Sequence, residues 1–167
     1  GSADQVLTSD GTDISWADAS GGVTFKAFGT SSIMVGDSST GTIDAANYNT
    51  GLGVDIFAAL TSGDNNTSVG FNSMAAATTG YSNVAVGANA LDANTDGHSN
   101  TAIGFNALTA NTGGDWSVAV GIEALKTEAT SGANVAVGAL ALTASNGGSN
   151  NVAIGKQAGT TLTTGDY

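Results

Sequence analysis

The chain has 167 residues, with no cysteine, no proline and no arginine, and 14 acidic residues against three lysines give it a net charge of −11. The missing thiols exclude disulfide frameworks and thiolate metal centres. The scarcity of cations excludes a phosphate-binding surface for nucleic acid or anionic lipid.

In chain order, Gly1-Ser2 reads as a cloning scar, and residues 3–31 as an amino-terminal hairpin and transition segment. Within it, QVLTSDGTDISWADA (5–19) places two alternating apolar runs around Asp10-Gly11, which predicts a hairpin closed by a type I′ turn. The glycine- and serine-rich stretch 20–47, with Phe25, Phe28 and Ile33, leads into a periodic region.

That region restates one phrase: NVAVGANAL at 83–91, NTAIGFNAL at 100–108, SVAVGIEAL at 117–125 and NVAVGALAL at 134–142. Its central glycines, Gly53, Gly70, Gly87, Gly104, Gly121, Gly138 and Gly155, follow one another every 17 residues. A fixed period without insertions identifies a repeat architecture. One more step back reaches Gly36, so 32–47 is a degenerate first coil and 48–167 holds an array of seven.

Positions are counted from the central glycine as zero. Position −4 is asparagine except at Ser117, −3 and −1 are mostly β-branched, and −2 is small. That alternation predicts a short strand. A second apolar position at +4 (Leu91, Leu108, Leu125, Leu142) precedes a turn with glycine at +10, expected to need positive φ. A single strand of 17 residues would run about 56 Å, so the chain must coil once per repeat. The prediction is an all-β parallel β-roll or β-solenoid of 17-residue coils, with asparagines in a ladder.

By size, the larger side chains Val86, Ile103, Val120, Val137 and Ile154 are assigned to the coil core with the +4 leucines. Ala85, Ala102, Ala119, Ala136 and Ala153, with Gly87, Gly104, Gly121, Gly138 and Gly155, are assigned to an outward face. Such a contiguous face calls for cover, and a second copy of the chain is the economical occupant. A homotrimer face is therefore expected there.

Little points to catalysis. His98, beside Asp92 and Asp96, is the one histidine, and it falls in a repeat turn where a solvated role is expected. Turn aspartates Asp64, Asp96 and Asp115 give no metal signature, and neither an EF-hand loop nor a calcium-binding nonapeptide is present. No enzyme activity, cofactor or metal is expected. An ice-binding surface would need threonines in register over many coils, a pattern not recognised in this sequence. Tyr81 and Trp116, read as equivalent turn positions two coils apart with His98 between them, are the candidate receptor contacts.

The motif N-[TV]-A-[IV]-G-x-x-A-L over residues 48–159 resembles the YadA-type head repeats of trimeric autotransporter adhesins and the related repeats of bacteriophage tail fibres. The resemblance implies a left-handed roll, three chains around one axis, and surface attachment without catalysis. The 17-residue period is longer than is usual in the adhesin heads. The phrase QVLTSDGTDISWADA is similar to segments of phage fibre proteins, particularly marine ones. The expectation is a virion tail-fibre segment that attaches to a host glycan or outer-membrane component, without membrane insertion or nucleic-acid binding; the alternative is an adhesin head on a bacterial outer surface.

Overall fold

The computed structural model describes residues 8–9, 14–15, 24–28, 32–36, 46–130, 132–163 and 165. Strands β1 (Thr8–Ser9) and β2 (Ile14–Ser15) pair antiparallel. Ser9 faces Ile14, and the connection with Asp10-Gly11, where the type I′ turn was expected, lies outside the described residues.

β3 (Thr24–Phe28) pairs antiparallel with β4 (Ser32–Gly36), which begins a parallel run. The run continues through β5 (Thr50–Gly53), β6 (Thr67–Val69), β7 (Val84–Val86), β8 (Thr101–Ile103), β9 (Val118–Val120), β10 (Val135–Val137) and β11 (Val152–Ile154). Each strand pairs with the next along the chain in one nine-stranded sheet. Gly36 aligns with Gly53 and Ala85 with Ala102, so the 17-residue step is the sheet register. The protein is a β-solenoid, and the degenerate first coil contributes its strand to it.

Hydrogen bonds join neighbouring coils away from the strands as well. Asn72 N–H donates to Val54 O at 2.9 Å, Ala76 N–H to Asp92 O at 2.9 Å, and Ser82 N–H to Asp64 O at 2.9 Å. Within a coil the chain turns at three left-handed positions, −5, +2 and +4, as at Ser82, Asn89 and Leu91 with φ of 57°, 55° and 51°. Asparagine tolerates this conformation, and it recurs at +2 in Asn72, Asn89 and Asn106. Leucine does not favour it. Burial explains its retention at +4, because Leu91, Leu108 and Leu125 are fully enclosed.

The assignment of faces from side-chain size is reversed in the structure. Ala85, Ala102, Ala119 and Ala136 are fully buried and Ala153 nearly so, all in one cluster with the +4 leucines. Val86, Val120 and Val137 are only half-buried, Ile103 is 40% exposed and Ile154 is 72% exposed. The coil is narrow. A leucine from one wall leaves room for no more than a methyl from the other. The first coils keep the sum: Phe57 opposes Gly51, where an added Cβ would lie 3.2 Å from the Phe57 ring. Close packing requires this compensation.

The central glycines from Gly53 to Gly138 also differ from expectation, since they face the backbone of the next coil. Gly121 has a φ of 138°, and a Cβ there would lie 2.6 Å from Gly138 O. The +10 glycines are absent from the positive-φ residues. They are needed for close approach, a Cβ on Gly97 lying 2.6 Å from Gly114 O.

The asparagine ladder forms as expected. Asn66 Nδ2 donates to Gly80 O at 2.8 Å within its coil, and Asn83 N–H donates to Asn66 Oδ1 at 3.0 Å from the next. Each such side chain ties its own strand to its own turn and to the following coil. The amides are fully buried, so these bonds satisfy groups that water cannot reach.

Candidate functional site

The turns align along one edge of the solenoid, where position −6 runs Asp64, Tyr81, His98, Asp115, Gly132. Tyr81 and His98 stack with ring centroids 4.6 Å apart and planes 20° from parallel. Trp116 meets His98 edge-on, at 5.2 Å and 78°. Thus the three candidate contacts do come together. Tyr81 and Trp116 are not equivalent, however: Tyr81 shares its position with His98 and Asp115, while Trp116 lies one residue further, at −5.

Asp115 holds His98 twice, accepting from the backbone N–H at 2.8 Å and from Nε2 at 3.1 Å. The imidazole side chain is 22% exposed, and its Nδ1 is buried without a hydrogen-bond partner. His98 is therefore a packed ring in a ladder, which corrects its reading as a solvated turn residue. Neither neighbouring carboxylate pairs with it. Asp92 accepts from Thr109 and Asn72, and Asp96 from Thr95. Burial pushes the Asp92 carboxyl up from its ordinary range, against hydrogen bonds from Thr109 and Ala93. Among the described residues no three His, Cys, Asp or Glu side chains gather where a metal ion could sit.

Tyr81 and Trp116 are 45% and 62% exposed. On the carboxy-terminal side of Trp116 the column shrinks to Gly132 and Ala133, and an open cleft of about 310 Å³ results. Size differences at one repeat position were visible in the sequence, but the one-residue offset between Tyr81 and Trp116 obscured them.

A buried carboxylate elsewhere was not singled out by sequence. Glu128 is fully enclosed, accepting from Ser117 Oγ and Asn134 Nδ2 at 2.6 Å each. Two features of one coil signalled it: serine replaces asparagine at −4, and glutamate stands at +7 where the two preceding coils have Asn94 and Asn111. The threonines also show more register than expected. Thr61, Thr78, Thr95 and Thr112 form one column, each hydroxyl donating to the carbonyl of the residue one coil on at 2.9–3.1 Å. Those hydroxyls fasten coils together.

The outer face of the strands carries Leu52, Ile103, Val152 and Ile154, all exposed, with half-buried valines between them, and the exposed Val54, Phe71, Phe105 and Ile122 follow the central glycines just past the strand ends. No protein-family model, curated protein or solved structure matches the chain.

Proposed function

We propose that the chain is a non-catalytic structural segment of a trimeric phage tail fibre, attaching the virion to a host surface. The exposed apolar sheet face carries the reading. Parallel sheets are normally covered on both faces. Here the inner face packs on alanine and leucine, while the outer face offers Ile103 to water and Phe105 and Ile122 stand exposed just past the strand ends. A contiguous apolar surface of this kind marks an interaction site. Covering it with identical chains around one axis suits a solenoid whose coils repeat with fixed register. The trimer and its left-handed coil follow from the resemblance to YadA-type heads and fibre repeats. Relative to the sequence expectation, the shared face moves from the alanines to the β-branched and aromatic residues.

Coil-to-coil hydrogen bonding gives such a segment stiffness, and the aromatic edge leaves rings available for attachment. The amino-terminal phrase favours the fibre over the adhesin head. Sequencing the flanks of the coding region tests the assignment. Neighbouring tail or baseplate genes are expected. A coiled-coil stalk and a membrane barrel in the same reading frame would replace the fibre by the adhesin head.

A further inference from the structure

The cleft beside Trp116 is built differently from the rest of the edge. Position −5 has a left-handed backbone in all seven coils of the array, and five of them fill it with a small residue or asparagine, Asn65, Ser82, Ser99, Ala133 and Asn150, with Tyr48 the other aromatic beside Trp116. A tryptophan at φ 57° is the costlier choice there. Backbone geometry does not call for it. Its ring leans on His98 on one side, and on the other the column offers only Gly132 and Ala133, leaving the cleft of about 310 Å³ open. That volume falls at the small end of ligand pockets.

Polar groups surround the ring. Asp115 lines the cleft, its backbone beside Gly132 and its carboxylate fixed in orientation by two bonds from His98 of the preceding coil. A carboxylate has roughly four acceptor positions, so capacity remains for hydroxyl donors. Thr130 and Asn150 are also among its lining residues, one bearing a hydroxyl and the other an amide. An exposed indole plane beside acceptors and donors suits a ligand with one apolar face and a rim of hydroxyls. A pyranose ring has that form. Asp115 and the net charge of −11 oppose an anionic sugar. The bonds from His98 occupy part of the Asp115 carboxylate that a cation would use.

We propose that the Trp116 cleft is a binding site for a neutral pyranose, with the indole under the sugar's C–H face and Asp115, Thr130 and Asn150 at its hydroxyls. This rests on the surface-attachment reading and names its ligand class. The site lies across the coils that carry Trp116, Gly132 and Asn150, one step along from the Tyr81–His98 stack.

Saturation-transfer NMR on the protein tests it, with the methyl β-glycosides of glucose, galactose and mannose, and with glucuronate and choline as charged probes. At least one neutral glycoside is expected to bind with Kd on the order of 1 mM, the scale for a ligand of this size. Trp116→Ala should weaken it at least tenfold, and Trp116→Phe much less. Ala133→Asn places in the cleft a residue that position −5 already accepts in other coils, and it should block binding while leaving the fold intact. Failure of all three neutral glycosides, equal or tighter binding of glucuronate or choline, or indifference to Trp116→Ala and Ala133→Asn would each overturn the proposal. The mass of the same sample, measured separately, shows whether the assembly reading stands when the sugar site does not.

Discussion

The Ser117 hydroxyl donates to Glu128 Oε1 at 2.6 Å inside the coil, where neither residue touches water. Serine is shorter than the asparagine of the other coils, and the carboxylate occupies the space and takes over part of the ladder through Asn134. Burial pushes the Glu128 carboxyl up, opposed by the hydrogen bonds from Ser117 and Asn134. A folded-state value above the unfolded one contributes stability that is full below the unfolded value, about 4.3 for glutamate. That contribution is lost as pH rises through the raised folded value. Stability from this group should therefore increase on acidification toward that value. Glu128→Gln keeps the shape and removes the buried charge, its amide oxygen accepting from Asn134 and its amide nitrogen donating to Ser117 Oγ in a reversed bond, so its melting temperature should exceed that of the parent at neutral pH and converge with it in acid. A pH series of thermal melts checks this, and a Gln variant that melts lower at neutral pH would contradict it.

The reversed faces predict different failures for two neighbouring positions. Ala119→Leu overfills a closed interior and should cost about 1–3 kcal/mol of coil stability, read by urea unfolding. Ile103→Lys and Ile122→Lys lie on the exposed face and should leave the circular dichroism of the coil unchanged while preventing assembly. If Ala119→Leu were harmless and the lysine variants unfolded, the faces would be those first assigned from side-chain size.

Removing one rung of the asparagine ladder breaks three bonds. Asn66→Ala takes away the donor to Gly80 O and the acceptor for both Asn83 N–H and Asn83 Nδ2. Each buried group left without a partner costs about 1–3 kcal/mol, so Asn66→Ala should be among the more damaging single changes. A denaturant midpoint close to the parent's would show that the ladder contributes little.

At position +10 the requirement is space rather than φ. Gly97→Ala places a methyl 2.6 Å from Gly114 O, and the coils must separate to admit it. Hydrogen exchange should rise in the coils on either side of residue 97, while distant coils retain protection, as nearest-neighbour stacking predicts.

Much of the fold was legible because the repeat is strict. The glycine count fixed the period, the period fixed the register of Ala85 on Ala102, and the asparagines at −4 pointed to their ladder. The faces were not legible. Alternation says that Val84 and Val86 share a side and Ala85 takes the other, but it does not say which side is inward. That depends on the width of the coil, which the +4 leucines set from the opposite wall. For the site, Tyr81, His98 and Trp116 were identified as residues. Their stacking was not, because it depends on the 4.6 Å approach of rings one coil apart, nor was Asp115 as the partner of His98.

The central claim is that the outer sheet face is shared among three copies, and light scattering on the purified chain measures it directly. At micromolar concentration the account predicts three times 16.1 kDa, falling to 16.1 kDa in Ile103→Lys and Ile122→Lys. A parent chain that remains monomeric with its apolar face exposed would contradict it.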